Sequence, residues 1–270
     1  MITVTGATGN LGGATIAALL DTVPAGELTA VVRDPAKAAD LAARGVTVRQ
    51  GDYDDPESLR AAFAGTDTLL LVSSPDITPG VRPRQHGNAI AAAAAAGVGR
   101  IVYTSAIGAD DGVGFLADHT ATEALLRESG VAWTILRNTF YQHFLINPGL
   151  ADAAEAGELV AADGGQPVNF ASVPELAAAT AAALTTDGLD NTVHELRGPV
   201  FTLPELAETV AAVTGRPVAY RAVAPAEFGQ GAFMWDLISS GLFAEPSTDL
   251  DKLLGRPATS LRDAVAATIA

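Results

Sequence analysis

The sequence predicts an α/β fold: a doubly wound parallel sheet followed by a smaller C-terminal α/β cap. Three observations carry that expectation. The chain opens on a β-branched run, Ile2-Thr3-Val4-Thr5, that passes directly into Gly6-Ala7-Thr8-Gly9-Asn10-Leu11-Gly12. Continuous apolar strand-like runs then alternate with helix-like stretches as far as about residue 138. The strands read as unbroken Val, Ile and Leu, the pattern of a parallel sheet covered by helices on both faces.

The glycine-rich segment carries the most information. Gly6 takes the tight turn off the first strand, Gly9 admits backbone N–H groups to a pyrophosphate, and Gly12 lets the next helix pack close to the sheet. That helix, about Asn10 to Leu20, directs its orphan N–H groups and positive dipole end at phosphate. A GxxGxxG pattern alone is weak. Set between a first strand and an apolar-periodic helix, it outweighs the bland reading of a glycine-rich turn without a ligand.

The remaining strands are expected at Leu28–Arg33, Val46–Gln50, Thr68–Val72, Arg100–Thr104 and Ala132–Arg137. Helices are expected at Pro35–Ala43, Pro56–Phe63, Pro83–Ala96 and Asp118–Ser129, the third carrying the alanine run Ala91–Ala96 of a tightly packed helix. Beyond residue 138 the rhythm breaks into Glu158–Ala162, Pro174–Thr185, Val193–Arg197, Pro204–Thr214, Val218–Val223, a helix near Ala226–Leu242 and a last helix Ser260–Ile269. No internal repeat or linker is visible. Residues 1–138 are therefore expected to bind a dinucleotide. Residues 139–270 are expected to form mostly a substrate-binding cap over the carboxyl ends of the strands, some segments remaining free to return to the sheet.

Composition narrows the partners. With 270 residues, 49% of them hydrophobic, the chain can bury a large core. The 31 acidic and 16 basic residues give a net charge of −15, which opposes nonspecific binding to nucleic acid or to an anionic membrane. There is no cysteine, so disulfides, thiol catalysis and Cys-ligated zinc are excluded. No His/Asp/Glu spacing suggests a metal site. No apolar run reaches the ~18–20 residues that span a bilayer. The first core strand begins at the N-terminus and leaves no room for a signal peptide, so a cytoplasmic location is expected. A homodimer stays open, because an alanine-rich helix face serves a core or an interface equally well.

The end of the second strand selects the dinucleotide. A carboxylate there would accept from the ribose hydroxyls of NAD. Here the strand closes on Val31-Val32-Arg33, followed by Asp34-Pro35 and Lys37. Arg33 is positioned to pair with a 2′-phosphate, with Lys37 as a second cation. In the counter-reading Asp34 binds ribose and Arg33 is solvated. NADP(H) is preferred, because Arg33 lies nearer the strand end. Asp52 and Tyr53 follow the third strand and are placed to edge the adenine. Ser73 and Ser74 follow the fourth, where they would lie beside the nicotinamide ribose. Turn-forming polar residues explain either pair as well.

Taken together, ITVTGATGNLG, VVRDPAKA, VRQGDYDDPESL, LLLVSS, IVYTSA, TATEALLRESG and WTILRNTFY resemble the NmrA-like branch of the atypical short-chain dehydrogenase/reductases. Within it they are most similar to the NADPH-dependent quinone oxidoreductase 2 group. The resemblance runs from residue 1 to about residue 223 and resumes over Leu250–Ala266. It implies a Rossmann-type sheet, a small C-terminal substrate domain and an NADP cofactor. By position, Gly6, Thr8, Gly9, Asn10 and Leu11 resemble the family's phosphate loop, Arg33 its 2′-phosphate clamp, and Ser73 and Ser74 the segment along the cofactor ribose. Asn138 to Tyr141, Phe140 included, resemble the loop beside the nicotinamide. The stretch Phe228–Thr248 looks shorter than its counterpart, which bears on the substrate.

One departure concerns proton transfer. Typical reductases of this superfamily use Tyr-x-x-x-Lys, in which lysine lowers the tyrosine pKa. Setting His119-Thr120-Ala121-Thr122-Glu123 against the family's Lys-x-x-Ala-Glu puts His119 at the lysine and Phe115 at the tyrosine. Phenylalanine donates no proton. Ser105 stands where the partner serine would be. Ordinary carbonyl reduction is thus disfavoured, whereas a quinone, whose reduction yields a weakly basic phenolate, needs mainly alignment and charge stabilisation. His119, with a near-neutral pKa, is a candidate to hold the ribose or donate to the quinone oxygen. Tyr141, Asn138 and Gln142 are further candidate donors. A structural role for a lone helical histidine is an equal reading. His86 and His143 are placed to reach the pocket mouth, and His194 reads as structural.

Two other functions stay open: a non-catalytic NADP-binding redox sensor working through a protein partner, and a carbonyl or imine reductase using Tyr141 or a bound water. A hydrolase built on Ser105, Asp118 and His119 is remote, since no Gly-x-Ser-x-Gly elbow is present. The apolar segment Phe228–Phe243 fits a substrate cap and a helix core equally.

Overall fold

The computed structural model describes residues 1–110, 112 and 114–269, with the backbone alone at Phe115. It divides into two compact units, residues 1–138 with 173–195, and residues 139–172 with 196–270.

The first unit is built on β1 (Ile2–Val4), β2 (Leu28–Val32), β3 (Thr47–Gln50), β4 (Thr68–Leu71), β5 (Arg100–Ala106) and β6 (Ala132–Asn138). The later strands are β7 (Glu158–Ala161), β8 (Val168–Asn169), β9 (Thr192–Leu196), β10 (Val200–Phe201) and β11 (Ala219–Ala222). The main sheet has seven strands in the order β3-β2-β1-β4-β5-β6-β9. Its pairs from β3 across to β6 are parallel, Ile2 standing opposite both Leu28 and Thr68. The order reverses between β1 and β4, so the loops after these strands diverge and leave the crevice where such sheets take ligands.

Helices α1 (Asn10–Leu19), α2 (Ala39–Ala43), α3 (Pro56–Ala62), α4 (Val81–Ala95) and α5 (Ala117–Glu128) fill the crossovers. Leu69, Leu71, Ile101, Tyr103 and Ile135 meet Leu59, Ile90, Ala93 and Leu126 in one core. Strand alternation turns Ala30, Leu70 and Leu136 to the other face. There α1 packs on α7 (Val173–Thr185), which also touches β4 and β6. Asp55 caps α3 by accepting from the N–H groups of Glu57 and Ser58, and Pro56 follows at the first helical position.

The second unit contains α6 (Gly149–Ala156), α8 (Leu203–Thr214), α9 (Ala232–Ser239), α10 (Asp249–Leu254) and α11 (Leu261–Ile269). Here β11 pairs parallel with β7, and β10 antiparallel with β8. Phe170, Phe201, Leu206, Val210, Trp235, Ile238 and Phe243 form its core. Instead of one helix over Ala226–Leu242, a 3-10 helix, Pro225–Gly231, precedes α9, with the break at Gly229 (φ +55°). No helix among the described residues is long and apolar enough to cross a membrane. None of them form a group of three or more His, Cys, Asp or Glu able to hold a metal.

Candidate cofactor and active site

The loop between β1 and α1 is shaped by contacts that leave no room for side chains. Gly6 has φ +58°, and a Cβ there would stand 3.2 Å from Val72 Cβ. At Gly12 a Cβ would lie 2.3 Å from Gly6 O and 2.8 Å from Gly6 C, so the first turn of α1 rests directly on the loop backbone. No side chain caps α1; its N-cap is Gly9, and Gly13 N–H donates to Gly9 O. The N–H groups of Asn10, Leu11 and Gly12, ahead of that bond, lie at the positive end of the helix. Thr8, Gly9 and Asn10 are exposed around them. Leu11 turns its side chain into the core, leaving only its backbone for a ligand. An uncapped N-terminus with a loop that excludes Cβ atoms suits a phosphate group.

At the end of β2, Arg33 is exposed and its carbonyl accepts from Gln50 Nε2 at 3.2 Å. Asp34 is occupied locally: its Oδ1 accepts from Ala36 N–H at 3.1 Å and caps the 3-10 helix Pro35–Ala38, on which Lys37 is exposed. Asp52 likewise accepts from Asp54 N–H within its own turn. The Tyr53 hydroxyl lies 2.6 Å from both Thr5 Oγ1 and Val72 O, tying β1 to the strand across the order reversal. Burial holds the Tyr53 phenol above its usual pKa, so it stays protonated in those bonds.

After β4, Ser73 N–H donates to Thr104 Oγ1 at 2.9 Å. Ser74 is held by α4: its N–H donates to His86 Nε2 at 2.8 Å and its carbonyl accepts from Arg82 Nε at 2.8 Å. His86 is fully buried, with Nδ1 2.9 Å from Thr122 Oγ1, which corrects the placement at a pocket mouth. Burial first, then His119 and Arg82, lower its pKa to about 3. His119 is also buried, with Nδ1 2.7 Å from Tyr103 Oη and Nε2 3.4 Å from an Arg82 nitrogen. Burial and then the Arg82 charge bring it down to about 4, against a smaller opposing pull from Glu123. The near-neutral pKa expected from the sequence is thus corrected: His119 is neutral at pH 7.

Ser105 Oγ donates to Glu123 Oε1 at 2.7 Å. Arg137 grips the same carboxylate through Nε and Nη2, both at 3.0 Å, and reaches Asp110 at 2.9 Å. Burial opposes ionisation of Glu123, but the bonds from Arg137, Ser105 and Arg127 prevail and hold its carboxyl below the usual range. Asn138 closes β6. Its backbone carbonyl accepts from Ile107 N–H at 3.0 Å, while its side-chain Oδ1 is buried without a partner. That unmet acceptor is one a bound ligand could satisfy. The Phe115 side chain lies outside the described residues.

In the second unit, Phe140 packs edge-on against Phe243, ring centres 5.2 Å apart. Tyr141 is half-buried, forms a bridge with Ala171, and is held above its usual pKa by burial. Gln142 N–H donates to Ala171 O, and His143 is exposed. His194 Nε2 lies 2.9 Å from Thr192 Oγ1. Sequence reasoning passed over Arg82, Tyr103 and Arg137. Their roles depend on partners 14 to 37 positions away, and no local spacing signals that.

A family model described as NAD(P)H-binding matches residues 6–187. Quinone oxidoreductase 2 of Escherichia coli is 39% identical, covering 98% of this chain and 97% of its own. An NmrA-like family domain-containing oxidoreductase of Aspergillus flavus is 30% identical, covering 97% of this chain and 92% of its own. The crystal structure of the Citrobacter sp. triphenylmethane reductase complexed with NADP(H) superposes with a TM-score of 0.93 at 38% identity, covering both chains completely.

Proposed function

The chain belongs to the NmrA-like NAD(P)H-binding family, and from that premise we propose that it is an NADPH-dependent oxidoreductase delivering hydride directly to a quinone-like acceptor. The observation that carries the reading is the division of labour after β2. Asp34, the carboxylate that would read the NAD ribose, caps its own turn, while Arg33 stands exposed. Its fork suits a 2′-phosphate. The likeness to quinone oxidoreductase 2 supports the acceptor class.

On this reading, the N–H groups of Asn10 and Leu11 hold the pyrophosphate, and Arg33 with Lys37 holds the 2′-phosphate. Asp52 and the ring of Tyr53 border the adenine. The Ser73–Ser74 turn would follow the ribose, and Asn138, whose buried Oδ1 has no partner, would hold the nicotinamide. The cofactor, when bound, supplies the hydride. Two electrons and two protons convert a quinone to its hydroquinone. Because the phenolate formed is a weak base, water can provide the proton, and no Tyr-Lys pair is required. Ser105 is committed to Glu123, and the neutral His119 carries no charge to lend. Tyr141, held protonated by burial, and the Gln142 side-chain amide remain as donors.

The test is loss of NADPH absorbance in the presence of a panel of small quinones, with NADH in parallel. Turnover favouring NADPH is the expected result. Tight NADPH binding without turnover on quinones, ketones or imines would replace the enzyme with a redox sensor.

A further inference from the structure

We propose that Arg82 is a positioning residue: together with Gln85 and His86 it clamps the Ser73–Ser74 turn, and it fixes Nε2 of His119 as a hydrogen-bond acceptor, leaving the ring proton on Nδ1. The functional half of this proposal rests on the reading that the turn follows the cofactor ribose.

Ser74 has three polar groups, and α4 takes each with a different side chain. Its N–H donates to His86 Nε2, its carbonyl accepts from Arg82 Nε, and its hydroxyl donates to Gln85 Oε1. Positions 82, 85 and 86 share one helical face. Gln85 Nε2 in turn donates to Asp54 Oδ2 at 2.8 Å, which extends the clamp to the turn after β3.

Proton accounting then fixes both imidazoles. A guanidinium has donors only, so His119 Nε2 accepts from Arg82. The single proton of the neutral ring sits on Nδ1 and points at Tyr103 Oη. A backbone N–H is likewise only a donor, so His86 Nε2 accepts from Ser74. Its Nδ1–H donates to Thr122 Oγ1, whose own hydroxyl donates to Asp118 O at 2.8 Å. The groups around His119 agree with this assignment. From α4 it faces Arg82 and His86, from β5 Tyr103, and from α5 Glu123. Arg82, 6% exposed, has Asp118 as its counter-charge only at 3.9 Å. Neutral side chains could hold a structural turn with less desolvation.

The test begins with the unaltered protein, in which nitrogen-15 imidazole spectra report tautomers at neutral pH. His86 and His119 are both expected as neutral Nδ1–H rings. An Nε2–H or averaging His119 would overturn the proposal without any variant. In Arg82→Gln, the His119 pKa is expected to rise toward 6.5, and the KM for NADPH to rise by about tenfold with kcat largely retained. Arg82→Lys, which keeps the charge and one donor, is expected to recover part of that affinity. A variant that loses only stability, with an unchanged KM and an unmoved His119 titration, would make the clamp structural and overturn its cofactor role. If the unaltered protein does not bind NADPH, the cofactor reading fails, while the spectra still decide the tautomers.

Discussion

Arg33 and Asp34 are neighbours with opposite duties, and a single substitution separates them. Arg33→Ala is expected to weaken NADPH by about 10- to 100-fold and to leave NADH unchanged, because a charge-assisted pair to the 2′-phosphate is lost. Isothermal titration with both nucleotides measures this; equal losses would contradict the clamp. The histidines make a second prediction. Both have folded pKa values, about 3 for His86 and about 4 for His119, below the unfolded 6.5. The unfolded chain therefore binds protons first. Stability is full above the unfolded value and is lost as pH falls below it. Between about pH 7 and about pH 5, roughly 2 kcal/mol should disappear per histidine, before the carboxylates titrate. Denaturant unfolding at the two pH values checks it, and a flat profile would contradict the neutral pair. What could be read at this scale was position: a strand end locates Arg33, and glycines locate the loop. What could not be read was state. The neutrality of His119 comes from burial that only the fold creates, and then from Arg82, 37 residues earlier.

At the scale of elements, the contact of α1 with its loop is the least forgiving. Gly12→Ala would drive a Cβ into the Gly6 carbonyl. A cost of about 2–3 kcal/mol is expected, with NADPH affinity falling as the loop shifts. In the second unit, Thr202 and Glu205 form a capping box at α8. Thr202→Ala should cost about 1 kcal/mol, seen as a lower denaturant midpoint with an unchanged slope. Strands β2 to β6 and helices α1, α4, α5 and α11 were legible to within two residues, because a continuous apolar run or a helical period declares its burial alone; α7 and α8 showed as segments of the right extent without a declared type. The two-residue strands β8 and β10 and the short helices α6 and α10 were not. Elements that short are held by the surfaces they pack on, and propensity says little of them. Gly229 broke a helix that apolar content had suggested was continuous.

For the whole molecule, the alternation of strand and helix up to residue 138 was enough to give the parallel sheet. The seventh strand, β9, arrives late: α7 and most of β9, within residues 173–195, belong to the first unit. Nothing local in those segments says which unit they join, since β9 pairs with β6, a strand more than fifty residues before it. The surplus of acid does not determine the activity. It makes the exposed cations Arg33 and Lys37 the more informative against a net charge of −15.

The proposed function turns on direct hydride transfer from NADPH to a quinone-like acceptor. A single turnover with NADPH carrying deuterium at C4 of the nicotinamide, on one face at a time, reads that transfer. Rapid oxidation on mixing with quinone, slowed by deuterium on one face only, is expected. Oxidation unaffected by deuterium on either face, or no oxidation of demonstrably bound NADPH by any quinone, would contradict it.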